Sequence, residues 1–133
     1  MDLPVPERLR SHTNRDVLNW ADGGYAHSDI AEKLEKAVTS LGDVQHFCPD
    51  TRNYKYLVVS TKDVVFGVAT GMTTIAFRLD STFKERALRT GADDAPEIGR
   101  NWVSFTLFRG DWPAVDLEFW ARKAYVFARE SKS

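Results

Sequence analysis

The sequence predicts an α+β domain: a two-layer arrangement in which an antiparallel sheet of about five strands carries helices on one face. Two observations predict this class. Apolar residues recur at helical spacing in three segments, and short runs rich in Val, Ile, Phe and Thr lie between them, separated by turn residues. Strands joined by such short turns run antiparallel, and helices flanking a single sheet are most simply placed on one of its faces.

Residues 1–27 differ from the rest of the chain and are predicted to form an N-terminal arm. Prolines and glycines are scattered there through a polar background. Within the arm, residues 14–21 have the spacing of a short helix, with Val17, Leu18 and Trp20 on its apolar side. Residues 28–133 are predicted to form the single α+β domain.

The first helix of that domain is predicted over residues 28–41, with apolar residues on one side and Glu and Lys on the other. Asp29 and Glu32 have the spacing of a capping box, and Gly42 supplies the C-terminal stop. A meander of four strands follows, with short hairpin turns at 61–63 and 70–72. The predicted strands cover residues 44–48, 55–60, 64–69 and 73–79.

A short helix follows the fourth strand. Ser81 or Thr82 is its predicted N-cap, and Gly91 lies at its C-terminal end. Residues 101–109 alternate as a strand does, and a long helix with a wide apolar stripe is predicted to start at 111–113. The order is therefore helix, antiparallel strands, helix, strand, helix.

Particular residue patterns accompany this order of elements. They are Val65-Phe66-Gly67-Val68-Ala69, Ile75-Ala76-Phe77-Arg78-Leu79-Asp80, Trp102-Val103-Ser104-Phe105 and Phe119-Trp120-Ala121-Arg122-Lys123-Ala124-Tyr125. With these patterns, residues 28–130 resemble the N-terminal domain of the competence regulator TfoX and the related YjbR (MmcQ)-like proteins. The resemblance implies a two-layer fold like that of secretion chaperones and a link with the regulation of DNA uptake. It implies no catalytic or binding residues.

Charge and cysteine content exclude several classes of function. The 133 residues include 18 Lys and Arg against 19 Asp and Glu, and neither half of the chain is basic, so the electrostatic signature of a non-specific nucleic-acid binder is missing. Cys48 is the only cysteine, so an intrachain disulfide is impossible and a cytoplasmic location is expected. No apolar run approaches the roughly 20 residues that cross a bilayer, so no membrane partner is expected.

One strand contains a pair of residues with metal-binding or nucleophilic chemistry. His46 and Cys48 lie two residues apart, which would place both on one strand face, and Asp43 or Asp50 could add a third ligand. Cys48 could also act as a nucleophile beside His46. The competing interpretation is a surface histidine next to a half-buried cysteine, and the sequence favours it.

A group of carboxylates lies in residues 92–100, which are predicted to form a loop. Asp93, Asp94 and Glu97 could hold a hard cation or act as paired carboxylates, but the sequence strongly favours a solvated acidic loop. No phosphate-binding loop, dinucleotide motif or nucleophile elbow occurs in the sequence. No cofactor and no metal are therefore expected.

The main candidate for a binding surface is the sheet face opposite the helices. If alternate residues of the strand over 101–109 face the helices, Trp102 and Phe108 project from the other face. Trp20 of the arm and Arg78 of the fourth strand complete the set of candidate binding residues. The arm, a second copy in a homodimer, or a small-molecule or peptide ligand could cover such a face.

The sequence thus favours a small cytoplasmic binding, adaptor or regulatory module that acts through an open sheet face or a dimer. Its partner would be a protein, a peptide or a small molecule. Two alternatives stay open. One is a small enzyme that uses His46 and Asp50 or the carboxylates Asp93, Asp94 and Glu97, and the other is a weak nucleic-acid-binding regulator.

Overall fold

The computed structural model describes residues 5–22, 28–49, 56–71, 73–107 and 116–130. Its helices are α1 (His12–Asp22), α2 (Ser28–Val38), α3 (Ser81–Arg89) and α4 (Leu117–Glu130). Its strands are β1 (Gln45–Phe47), β2 (Leu57–Thr61), β3 (Val64–Thr70), β4 (Thr74–Arg78), β5 (Asp93–Asp94) and β6 (Trp102–Thr106). None of the described helices is both long enough and apolar enough to cross a membrane.

The fold is α+β, as the sequence predicts. The six strands of the described residues form one antiparallel sheet in the order β1-β2-β3-β4-β6-β5. The strand beyond the predicted five is β5, so the expectation of a continuous loop over 92–100 is wrong. Asp93 pairs with Ser104 and Asp94 pairs with Val103. Aspartate is depleted in strands, so this pairing depends on the neighbouring strand and not on local propensity.

The turn between β2 and β3 lies where the sequence predicts it. Lys62 has φ of 50° and Asp63 has φ of 64°, so both residues occupy the left-handed region, as a two-residue hairpin turn of type I′ requires. Such a backbone costs free energy for residues that have a Cβ atom. Contacts from the arm, described below, help to hold this turn.

Helices α2, α3 and α4 pack on one face of the sheet and enclose the larger core. The apolar stripe of α4 contributes Trp120 and three alanines, and the Trp120 ring lies 5.7 Å from the Phe105 ring of β6. Small alanine side chains on α4 allow the helix to approach the strands closely. The fully buried strand residues on this face are Val59, Val64, Phe66, Ala69, Ile75, Phe77 and Val103.

The opposite face of the sheet is covered by the N-terminal arm. A short 3-10 turn (Glu7–Leu9) and α1 bury apolar side chains against the outer residues of the strands. Of the three covers that the sequence left open, the structure shows the arm. The arm contributes Leu9, Val17, Leu18 and Ala21, and the strands contribute Phe47, Val58, Val65, Val68, Ala76 and Trp102.

Asn14 fixes the arm to the β2–β3 hairpin by hydrogen bonds from a fully buried side chain. Its amide nitrogen donates to the carbonyl oxygen of Asp63 at 2.8 Å and to that of Leu9 at 3.1 Å. Its side-chain oxygen accepts from the backbone N–H of Val65 at 2.9 Å. Arg8 adds an ion pair with the Asp63 carboxylate at 3.6 Å.

Helix α3 begins one residue earlier than the sequence predicts. The N-cap is Asp80, whose carboxylate accepts a hydrogen bond from the backbone N–H of Phe83 at 2.8 Å. Ser81 and Thr82, the predicted caps, lie inside the first turn. Gly91 lies just beyond the helix end, as predicted. Its φ of 109° is a conformation that residues with a side chain disfavour, so glycine suits this position.

The other helix starts also differ from the prediction or lie beyond it. Helix α2 begins at Ser28, so Asp29 lies in its first turn and not at the cap. In the first turn, the charge of Asp29 still complements the helix dipole. Helix α4 follows Asp116, whose carboxylate accepts from the backbone N–H of Phe119 at 3.1 Å. The predicted start at 111–113 lies outside the described residues.

Candidate functional surface on helices α3 and α4

Two of the candidate binding residues, Trp102 and Trp20, lie together where the arm packs on the sheet. Trp102 is 3% exposed and belongs to the buried cluster between the arm and the sheet. Trp20 of α1 is half-buried and packs against the same cluster. Phe108 lies outside the described residues. Because the arm occupies this face, Trp102 does not offer an accessible binding surface in this conformation.

Arg78 pairs with Trp102 across β4 and β6, and its side chain also contacts α4. Its guanidinium carbon lies 4.6 Å from the centre of the Phe127 ring, which belongs to α4. Burial removes water from the guanidinium and lowers its pKa from the ordinary value. Arg78 therefore connects β4 to α4, and a charge at this half-buried position packs on an aromatic ring.

The residues considered for a metal site do not form a cluster of metal ligands within the described part of the chain. His46 is exposed on β1, an outermost strand of the described sheet, and Cys48 is half-buried against the helix-side core. Asp50 lies outside the described residues. Across the described ranges, no three His, Cys, Asp or Glu side chains lie close enough together to hold a metal ion.

The carboxylates near β5 are exposed at the sheet edge. Asp94 forms an ion pair with Lys84 at 2.9 Å, and the Lys84 ammonium also donates to the carbonyl oxygen of Arg100 at 2.5 Å. Asp93 and Asp94 follow each other along a strand, so their side chains point to opposite faces. This arrangement ties α3 to the segment that precedes β6.

A different group of side chains forms a cationic and aromatic surface between α3 and α4. It consists of Phe83, Arg86, Phe119 and Lys123, and we call it the α3–α4 surface. The Arg86 guanidinium carbon lies 5.7 Å and 5.6 Å from the centres of the Phe83 and Phe119 rings. The Lys123 ammonium nitrogen lies 4.9 Å and 5.4 Å from the same two centres. Both cations are thus within cation–π distance of both rings.

The charges of Arg86 and Lys123 are not neutralised by any carboxylate of the described residues. Lys84 and Arg89, on the same helix as Arg86, each form an ion pair, at 2.9 Å and 2.6 Å. Arg86 and Lys123 repel each other, and this repulsion is weakened by water, by salt and by the attraction of each cation to the rings. A negatively charged group bound beside them would remove the repulsion.

Ring contacts connect the α3–α4 surface to the core. Phe119 contacts the Phe83 ring edge-on at 6.3 Å and the Trp120 ring at 4.9 Å. Trp120 in turn packs in the helix-side core, so its contact with Phe119 fixes the Phe119 ring against the core. Beside Phe119, a cavity of about 330 Å³ opens between the end of α3, the end of β6 and the start of α4. Phe119 is therefore held in place by the core, and the surface lies next to a depression.

The sequence did not predict this surface. The basic residues of both helices can be read from the sequence, but on their own they indicate only exposed helix faces. The available signal was spacing: Phe83 and Arg86 are three residues apart and Phe119 and Lys123 are four apart, so each pair shares a helix face. That the two faces meet depends on how the helices pack, which a single sequence does not state.

The fold and this surface define a small α+β domain with a cationic, aromatic face. Comparison with models of protein families, with curated proteins and with solved structures finds no match to this chain. The resemblance to the TfoX and YjbR-like proteins stays a prediction.

Proposed function

We propose that the protein is a non-catalytic binding module whose α3–α4 surface docks an acidic segment of a partner protein. One observation carries the proposal: Arg86 and Lys123 are held over the same two phenylalanine rings, and neither has a carboxylate partner among the described residues. Lys84 and Arg89, on the same helix as Arg86, each pair with a carboxylate instead. An acidic side chain bound at this surface would be attracted by both cations.

The geometry favours an acidic protein segment over a nucleic acid. Bases bind single-stranded sites by stacking on open aromatic faces. On the α3–α4 surface, each ring already has two cations within 5.7 Å of its centre, so the cations and not the ring faces meet a partner. The chain also has a net charge of -1, which opposes the long-range attraction that nucleic-acid binders use.

The cavity beside Phe119 supports a more specific partner. Its described lining combines Phe105, Phe119 and Trp120 with Asp116 and the end of α3. An apolar side chain of the partner would find an aromatic wall there, while neighbouring carboxylates reach Arg86 and Lys123. The segment that we expect is therefore acidic with one large apolar residue, because one anchor side chain seated in a pocket can supply much of the affinity of such a contact.

We also propose that the chain belongs with the TfoX N-terminal and YjbR-like proteins and acts in the cytoplasm. The order of elements over residues 28–130 and the packing of α2, α3 and α4 on one sheet face support the first part. The presence of a single cysteine, which permits no intrachain disulfide, supports the second.

The proposal can be tested with a fluorescein-labelled peptide rich in Asp and Glu with one central Phe. Fluorescence anisotropy should show saturable binding to the wild-type protein. Replacement of both cations, Arg86→Gln with Lys123→Gln, should weaken binding about tenfold, since two partly exposed charge pairs are lost. The double variant should also show a weaker dependence of peptide affinity on salt concentration.

The matched control removes the same charge from the same two helices. Arg89→Gln with Arg122→Gln takes away two cations that lie over neither phenylalanine ring, and Arg89 is paired with Glu85. This control should change the affinity by less than about threefold, the usual range for charges outside a contact. Equal loss in the two double variants, or no saturable binding by the wild type, would reject the α3–α4 surface as the site.

A further inference from the structure

We propose a second binding site in the arm: a pocket for a small organic phosphate between the segment that begins at Val5 and the start of α1. The pocket has a volume of about 570 Å³ and lies on the other side of the sheet from the α3–α4 surface. Its described lining includes the cationic side chains Arg10 and Arg15, the side chains of Ser11 and His12, and the apolar Leu18. The proposal does not depend on the proposed function.

Two arginines give the pocket its charge. Arg10 donates from Nε to the carbonyl oxygen of Val5 at 3.0 Å, and Arg15 donates to Nδ1 of His12. Neither acceptor is a carboxylate, and neither arginine forms an ion pair with a carboxylate among the described residues. Each hydrogen bond also orients its guanidinium and leaves other N–H groups to bind a ligand. Oriented guanidiniums are the side chains best suited to bind phosphate by paired hydrogen bonds.

The start of α1 adds to the same preference. Helix starts carry partial positive charge and usually have acidic residues nearby, yet α1 has none in its first turn and has two arginines beside it. Ser11 directly precedes the helix, and its hydroxyl oxygen is buried without a hydrogen-bond partner among the described residues. A phosphate group in the pocket would offset the positive charge of the helix start and of the two arginines.

The size and the walls of the pocket indicate that the phosphate is carried on an organic group. The volume falls within the range of roughly 300 to 1,000 Å³ that small-molecule sites occupy. Leu18 and Val5 form an apolar part of the lining, which inorganic phosphate would not use. A phosphate monoester has a charge of about -1.5 to -2 at neutral pH, which matches two arginines. A small phosphate monoester is therefore the ligand class that fits.

Isothermal titration with glycerol 3-phosphate tests the site on the full-length protein, with inorganic phosphate and glycerol as comparison ligands at equal ionic strength. We expect saturable binding of glycerol 3-phosphate, weaker binding of inorganic phosphate and none of glycerol. Arg10→Gln and Arg15→Gln should each weaken binding about tenfold, because each removes a charge-assisted hydrogen bond. Both side chains are exposed, so the variants should fold, as circular dichroism will verify.

Arg8→Gln is the matched control, since Arg8 belongs to the arm but pairs with Asp63. It should lower the melting temperature slightly and leave the affinity for glycerol 3-phosphate unchanged. The proposal is overturned if glycerol 3-phosphate does not bind, if inorganic phosphate binds equally well, or if Arg8→Gln weakens binding as much as Arg15→Gln.

Discussion

Asn14 makes three hydrogen bonds from one buried side chain, two of which join the arm to the β2–β3 hairpin. A buried polar group is stabilising only while its partners are satisfied, because each unpaired group keeps the full cost of losing water. The Asp63 carbonyl, moreover, belongs to a turn whose backbone lies in the left-handed region. Asn14 therefore stabilises both the arm and the β2–β3 hairpin.

We predict that Asn14→Ala lowers the free energy of unfolding by about 2 to 4 kcal/mol, since it leaves a buried N–H and two carbonyl oxygens without their partner. Urea denaturation followed by tryptophan fluorescence measures this loss. Asn19→Ala is the control, because Asn19 is exposed on the same helix and should change stability by less than about 0.5 kcal/mol. Equal effects of the two substitutions would show that Asn14 does not hold the arm.

Gly67 is required for space inside β3. A Cβ atom at this position would lie 2.9 Å from a methyl carbon of Val59 and 3.3 Å from the Phe77 ring, and both neighbours are fully buried. Alanine favours a strand over glycine by about 0.5 to 1 kcal/mol. The overlap costs about 1 to 3 kcal/mol, because neither neighbour has room to move, so the clash outweighs the gain.

Gly67→Ala should therefore destabilise the protein by about 1 to 2 kcal/mol in the same denaturation experiment. Shortening the closer neighbour with Val59→Ala should make the added methyl group less costly, so the double variant should lose less than the sum of the single variants. At Gly42, where a Cβ atom would meet nothing within 4 Å, alanine should be nearly neutral. A neutral Gly67→Ala would contradict the packing described here.

At the scale of the elements, local patterns predicted most of the sheet. Strands β2, β3, β4 and β6 alternate or are continuously apolar and are bounded by turn residues, so local chemistry was sufficient. Strand β5 was missed because two aspartates form a strand only where β6 offers them partners. The start of α3 was misplaced by one residue because Asp80, Ser81 and Thr82 can all cap a helix, and only the three-dimensional structure selects among them.

The cap of α3 gives a direct test of this correction. Asp80→Ala should cost about 1 kcal/mol, because the backbone N–H of Phe83 loses its acceptor. Ser81→Ala and Thr82→Ala should be nearly neutral or slightly stabilising, since alanine favours the helix interior where these residues lie. Thermal unfolding measured by circular dichroism compares the stability of the three variants. If Ser81→Ala lost more stability than Asp80→Ala, Ser81 and not Asp80 would be the N-cap.

At the scale of the whole molecule, the sheet separates two sides with different chemistry. The sequence revealed the apolar side of α1 through Val17 and Leu18, but it did not state which surface they would cover. With the arm in place, a homodimer through this sheet face would have to displace it. Leu88 and Val126 are the exposed large apolar side chains in the described part of the chain. A partner is therefore expected to bind through charge and aromatic contacts more than through an apolar patch.

The α3–α4 surface is the central functional claim, and a two-dimensional ¹H–¹⁵N NMR titration of the full-length protein with the acidic peptide tests it most directly. Backbone signals report every described helix at once. The claim predicts that the largest shifts occur in α3 and α4 near Phe83, Arg86, Phe119 and Lys123, with α1 unchanged. Shifts that cluster in α1 and the arm, or that spread evenly over the basic residues, would contradict it.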